Sequence, residues 1–126
     1  MSNVAGIGVD IVEVARMKTA IDARKEAFTV KMFTEREITY CSSKKSPYQH
    51  YAARFAAKEA VAKALGCGIG DVSWQEIEVL GDEQNAPVLT LHGEAIKRAE
   101  ALGLSTWSVS ISHSQSHSVA FVVAIG

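Results

Sequence analysis

The chain has 126 residues, 48% of them apolar and 21% charged, with a net charge of −1. That is ordinary composition for one soluble domain over residues 1–126, with a core of its own, and no strong basic or acidic bias speaks for a polyelectrolyte partner. No apolar run reaches the about 18 residues a membrane-spanning helix needs, and no basic segment followed by an apolar one opens the chain. Cys41 and Cys67 form neither a disulfide framework nor a metal-ligand spacing, so a reducing cytoplasm is expected, with no membrane partner.

Val4 to Val12 is apolar but interrupted by Gly6, Gly8 and Asp10, and reads as a strand. Gly8 permits close backbone approach, and Asp10 falls near the strand end where a carboxylate can face a site. From Glu13 to about Ala27 the period turns helical, with Val14, Met17 and Ile21 on the apolar side. Arg16, Ala20, Arg24 and Phe28 recur every four residues, giving a basic strip that ends in an aromatic. Thr34-Glu35-Arg36-Glu37 is a capping box that starts a short helix. Cys41 to Pro47 is polar and reads as a loop.

Gln49 to Leu65 is an alanine-rich helix with Gly66 in its C′ position and a glycine-rich exit, Gly66-Cys67-Gly68-Ile69-Gly70. Glu76 to Leu80 and Val88 to Leu91 read as strands around the turn Gly81 to Asn85. Gly93 to Leu102 is a helix stopped by Gly103. Trp107 to Ser112 alternates as a half-buried strand, and Ser118 to Ile125 is nearly all apolar; the polar link between them makes a hairpin. This order predicts an α+β domain with a small antiparallel sheet and helices packed on it.

Charge is unevenly distributed. Residues 14–45 hold eight Lys/Arg against four acids, whereas residues 71–100 hold seven acids against Lys97 and Arg98. A basic half steers acidic partners. Nucleic acid is not the expected partner, because the basic set has no arginine-rich run and no interleaved stacking aromatics. Asp10 and Glu59, with nearby Lys58 and Lys63, supply two carboxylates and cations suited to Mg²⁺ and a polyphosphate. By spacing alone, Glu59 and Lys63 are an i,i+4 ion pair and Lys58 is a solvated neighbour.

Joined in order, the pieces say more. Gly8-Val9-Asp10 with Arg16, then Arg54-Phe55-Ala56-Ala57-Lys58-Glu59-Ala60 with Lys63, then the glycine-rich exit, then Ser110-Ile111-Ser112-His113-Ser114, resemble the small 4′-phosphopantetheinyl transferases of the holo-[acyl-carrier-protein] synthase type. The resemblance runs over essentially the whole chain. It implies the 4′-phosphopantetheinyl transferase fold and transfer of phosphopantetheine from coenzyme A to a serine of apo acyl carrier protein. It implies Asp10 and Glu59 as Mg²⁺ ligands, with Glu59 or a metal-bound water that it orients taking the serine proton, and Lys63 stabilising or protonating the leaving phosphate. Arg54, Lys58, Lys63, Gly66, Pro87, His113 and Ser114 become candidate coenzyme A contacts. Arg16, Arg24 and Lys25, with Phe28 as apolar anchor, become the carrier-protein docking surface.

The resemblance also implies a homotrimer with active sites between subunits, and the sequence does not divide Asp10, Glu59, Arg54 and His113 among them. Two positions depart from the family pattern: Asn85-Ala86-Pro87 stands where Gly-Lys-Pro is common, and Cys67 where threonine is common. Neither touches the carboxylate pair. His50, His92 and His117 are read as surface or packing residues, and Gly66 serves equally as a plain helix cap. The alternatives are a coenzyme A or nucleotide-binding module without transfer, and a structural trimer in which Glu59–Lys63 is only an ion pair.

Overall fold

The computed structural model describes residues 4–67 and 71–126. Its elements run β1 (Val4–Glu13), α1 (Val14–Arg24), α2 (Glu26–Met32), α3 (Glu35–Ser42), α4 (Pro47–Ala64), a 3-10 turn at Trp74–Glu76, β2 (Ile77–Gly81), β3 (Pro87–Leu91), α5 (Gly93–Ala101), β4 (Thr106–His113) and β5 (His117–Ile125). The sequence reading of an α+β chain holds. Among the described residues there are two small antiparallel sheets rather than one: β1–β5–β4 and β2–β3.

Helix α4 runs between two apolar cores. Ala52 joins Met17, Phe28, Phe33, Cys41 and Tyr51 on one side. Ala56, Ala57, Ala60 and Val61 join Ala120, Val122 and Ala124 of β5 on the other. Alanines suit this place because they keep the helix thin where it is enclosed and carry the best intrinsic helix propensity. The closest approach is to β1. A Cβ at Gly8 would overlap the Ala60 carbonyl oxygen, and one at Gly6 would lie 2.8 Å from that of Ala64. Asp10 is two residues beyond Gly8, on the same strand face, so this contact carries its carboxylate to α4.

Pro47 opens α4 in its first turn, two residues earlier than the polar pattern suggested, and α3 extends through Ser42 into the expected loop. At the far end Gly66 adopts φ 68°. Its N–H donates to Lys63 O at 3.0 Å and that of Cys67 to Ala62 O at 3.0 Å, which is a Schellman cap. The capping box of α3 forms as read: Glu37 N–H donates to Thr34 Oγ1 at 3.2 Å, and Thr34 N–H to Glu37 Oε1 at 2.9 Å.

The helix expected over residues 13–27 is two helices. Lys25 takes φ 52° and ψ −127°, and α2 leaves in a new direction. No glycine or proline announces the break. Its cause is tertiary: α2 places Phe28 edge-on to Phe33 at 6.5 Å, and Phe33 lies 4.9 Å from Tyr51. Burying two phenylalanines is worth roughly 3–6 kcal/mol, against about 1–3 for one residue held in a sparsely populated backbone conformation.

The three-stranded sheet covers α4 with one face only. Ser118, Ala120, Val122 and Ala124 of β5 point inward and are buried. Ile7, Val9 and Ile11 of β1 and Phe121 of β5 point outward and are exposed, with Val9 and Phe121 in register. No helix among the described residues is long and apolar enough to cross a membrane.

Candidate active site

Residues of α4 line two clefts that share no lining residue. The first, of about 560 Å³, has Asp10, Glu13 and Glu59 on its polar side with Arg16, and an apolar wall that includes Phe28, Met32 and Phe55. Lys63 donates to Asp10 Oδ1 at 3.3 Å and to Val9 O at 2.9 Å. The i,i+4 partner expected from spacing, Glu59, has no ion pair among the described residues; the lysine reaches across to β1 instead. Burial pushes the Glu59 carboxyl above the usual carboxylate range, the charge of Asp10 adds to this, and Lys63 opposes it.

Asp10 and Glu59 are thus two hard oxygen donors held on one cleft by rigid elements. No group of three or more metal-ligating side chains occurs among the described residues. A carboxylate pair without a further protein ligand suits Mg²⁺, which keeps several waters and takes phosphate oxygens.

The second cleft, of about 520 Å³, is basic. Arg54 and His113 meet there with Lys44, Lys45 and His50, and Asn85 and Pro87 form part of its wall; no carboxylate lines it among the described residues. Arg54 is nearly buried, donates through Nε to Val79 O at 3.3 Å, and lies 4.4 Å from the centre of the Tyr40 ring. Lys44 Nζ lies 4.4 Å from the same ring. The fold therefore gathers the candidate residues into two groups, Asp10, Glu59, Lys63 and Arg16 in one, Arg54, Pro87 and His113 in the other.

Three assignments need correction. Lys58 is fully buried and faces neither cleft. Its ammonium pairs with Glu37 Oε1 at 2.7 Å and donates to the carbonyls of Trp74, at 2.8 Å, and Ile77. All three N–H bonds are spent, so it pins α4 to α3 and the β2 edge and has no donor left for coenzyme A. Gly66 spends its N–H on the helix cap; Gly68 to Gly70 of the same loop lie outside the described residues. Phe28 is 8% exposed and belongs to the core and to the floor of the acidic cleft, not to an outward basic strip.

Other assignments find plain positions. Arg24, in the last turn of α1, and Lys25, at the break, are exposed. Ser114 holds the β4–β5 turn: its hydroxyl accepts the His117 N–H at 3.2 Å, and its carbonyl accepts from Gln49 Nε2 at 3.2 Å.

A family model described as the 4′-phosphopantetheinyl transferase superfamily matches residues 6–122. The chain belongs to that superfamily. It is 45% identical over 117 residues to a holo-[acyl-carrier-protein] synthase of Natranaerobius thermophilus, covering 93% of this chain and 94% of that one. Among solved structures it resembles the holo-[acyl-carrier-protein] synthase of Neisseria meningitidis, with a TM-score of 0.88 and 36% identity over 97% of this chain and 98% of that one. It also resembles the Bacillus anthracis enzyme solved in complex with coenzyme A (3′,5′-ADP), with a TM-score of 0.80 and 34% identity over 97% and 96% of the two chains. The resemblance read from the motifs and the fold it implied are thereby established.

Sequence reasoning missed several cleft residues of this transferase-superfamily chain. His50, Lys44 and Lys45 line the basic cleft, and Glu13 and His117 line the acidic one. His50 precedes Arg54 by four on a helix, which puts the two on one face. That was a readable signal. Lys44 and Lys45 reach the cleft from the α3–α4 connection, and no periodicity announces such a position.

Proposed function

We propose that the chain transfers 4′-phosphopantetheine from coenzyme A to a serine hydroxyl of an apo acyl carrier protein and releases adenosine 3′,5′-bisphosphate, with Mg²⁺. The observation that carries this reading is the cluster Asp10–Lys63 beside Glu59, built by the contact of Gly8 with Ala60. The name borne by the relatives points the same way.

In this reading Asp10 and Glu59 would hold Mg²⁺, which when bound would supply positive charge against the pyrophosphate. Glu59 accepts the serine proton, a role suited to a carboxylate whose proton affinity is already raised. The serine oxygen bonds to the phosphorus that bears pantetheine, and the P–O bond to the adenosine phosphate breaks. Lys63, whose side chain is half exposed beside Asp10, neutralises the phosphate that leaves. The basic cleft, with Arg54 and His113, binds the phosphates of the nucleotide end.

The apolar wall of Met32 and Phe55, with Arg16 at its edge, receives the carrier protein, and Arg24 and Lys25 extend its basic rim. The working unit is a homotrimer. Supporting this, Ile7, Val9, Ile11 and Phe121 form an uncovered apolar face on the sheet, of the kind that marks an interface. A trimer lets the acidic cleft of one copy meet the basic cleft of the next, so one coenzyme A spans two subunits. The two free thiols, Cys41 with its pKa pushed up to about 12 by burial, fit the reducing cytoplasm.

The test is the intact mass of an apo acyl carrier protein after incubation with the protein, coenzyme A and Mg²⁺, beside a chelated control. A gain of one phosphopantetheine, absent with chelator, is the expected result. Coenzyme A bound but no mass gained with any carrier offered would make the chain a binding module.

A further inference from the structure

We infer that His50 is a second imidazole ligand, with His113, for a phosphate monoester in the basic cleft, and that filling this cleft takes up protons from solvent. The inference rests on the nucleotide reading of the cleft and adds to it a ligand and a coupling.

The geometry comes first. His50 is the fourth residue of α4, half-buried, one turn before Arg54. Its ring centre lies 5.9 Å from that of His113, which ends β4, and 6.0 Å from that of Tyr40 on α3. The Gln49 side chain bonds the Ser114 carbonyl at 3.2 Å, so the start of α4 and the β4–β5 turn are tied together beside the pair. Two imidazoles from separate elements therefore face one space.

The charges facing that space are of one sign. α4 contributes Arg54, the α3–α4 connection contributes Lys44 and Lys45, and β4 contributes His113, while the β2–β3 turn and the start of β3 contribute only the neutral Asn85 and Pro87. In this setting the His50 imidazolium is disfavoured, by burial first and then by Arg54, His113 and Lys44. An imidazole beside two or more cations and no carboxylate is poorly placed as a structural ion pair. It is well placed to wait for an anion.

A phosphate monoester carries about −1.5 to −2 charges near neutral pH. Placed among these groups it offsets most of their positive charge, and an anion next to His50 favours the imidazolium that burial and Arg54 had opposed. Each imidazole so charged donates a charge-assisted hydrogen bond to the anion. The proton that His50 gains on binding comes from the buffer.

The experiment is calorimetric titration of the full-length protein with adenosine 3′,5′-bisphosphate, at several pH values, in two phosphate-free buffers of different ionisation enthalpy. The difference between buffers counts protons. The wild type takes up protons near pH 7. His50→Phe, which keeps a ring against Tyr40 and His113, loses part of that uptake and binds about tenfold more weakly at pH 6.5, the loss expected for one charge-assisted hydrogen bond. The two proteins converge in affinity at pH 8.5, where the His50 imidazole stays neutral. His50→Gln repeats the loss of uptake without the ring. If both variants take up protons and bind as the wild type does, or if the wild type binds without uptake, the inference is overturned while the nucleotide reading stands. If the wild type does not bind the bisphosphate at all, the nucleotide reading of the cleft fails and the inference fails with it.

Discussion

Lys63 reaches from α4 to Asp10 on β1, with Nζ 3.3 Å from Oδ1 and 2.9 Å from the Val9 carbonyl, and Glu59 has no direct ion pair among the described residues. Glu59 sits beside a like charge in a partly desolvated cleft, and its carboxyl is held above the ordinary value of 4.5. Such an arrangement gives up stability for function. A raised acid binds more protons folded than unfolded between its two pKa values, so stability falls as pH rises through that window, and the full cost is present above it. With chelator, Glu59→Gln should therefore raise Tm at pH 7, by about 1–3 °C for a partly exposed group, and the difference should vanish below about pH 4. The same variant should lose at least about 100-fold in transfer rate, the usual scale of a general base. Mg²⁺ should stabilise the wild type and not the variant. Thermal melts with and without metal at pH 4 and pH 7 check both signs; a variant melting below the wild type at pH 7 contradicts the account.

Gly8 is the position that makes this meeting possible. Its missing side chain lets β1 lie against the Ala60 carbonyl, where any Cβ would overlap. Gly8→Ala should cost about 2–4 kcal/mol, because the overlap is with backbone on a packed helix and neither element can move freely. Asp10 should be displaced with the strand, so transfer activity should fall more than the folded fraction does. Denaturant unfolding beside turnover at a temperature where the variant is folded measures the two separately. Equal stability would mean that α4 and β1 are less tightly apposed than Gly8 requires.

Lys58 offers the opposite lesson. Its place beside Glu59 in the motif makes it look like a site residue, yet it points into the protein and joins Glu37, which also accepts the Val79 N–H at 2.8 Å. Lys58→Met should destabilise by about 3–5 kcal/mol, since Glu37 would be left as a buried unpaired charge. Coenzyme A affinity, measured where the variant remains folded, should stay within about twofold, because K58M removes no cleft donor. A tenfold loss of affinity with unchanged stability would return Lys58 to the site.

These cases show what could be read from the chain and what could not. The strand with Gly8 and Asp10, the capping box at Thr34, the cap at Gly66 and the β4–β5 hairpin all follow from short-range rules, and all formed. The break at Lys25 did not show, because it is decided by where Phe28 and Phe33 find a core. Lys58 and Glu59 are adjacent in sequence and differ by one helical step in direction, about 100°, which sends one to the core and the other to the cleft. Motif membership fixes neither direction. The separation of Arg54 from Asp10 into different clefts also depends on the whole fold, since Arg54 and Glu59 share a helix.

Arg16 stands on the rim of the acidic cleft, exposed, next to the apolar wall. In the proposed reading a carrier protein brings its serine to Glu59 in the cleft that Arg16 also lines, and an acidic carrier would be attracted by this residue. Arg16→Glu should raise KM for the carrier by about tenfold and leave KM for coenzyme A within about twofold, with the difference shrinking at high salt as the exposed charges are screened. Steady-state kinetics with each substrate varied in turn separates the two. An unchanged carrier KM would take Arg16 out of the docking surface.

The outward face of the sheet provides the remaining test. Val9 and Phe121 are cross-strand partners, each about half exposed, with Ile7 and Ile11 beside them on β1 and also exposed. A copy of the same face is the occupant expected if the proposed trimer forms, since the strip is apolar and carries no charge to select another partner. Phe121→Arg places like charges together in every copy and should convert the assembly to monomers, read by light scattering. The inward neighbours Ala120 and Val122 are untouched, so the folded monomer should persist by circular dichroism. Transfer should then fall steeply although Asp10, Glu59, Lys63, Arg54 and His113 are all present, because the acidic cleft of one copy no longer meets the basic cleft of another. A folded Phe121→Arg monomer with full turnover would show that one chain completes the site by itself.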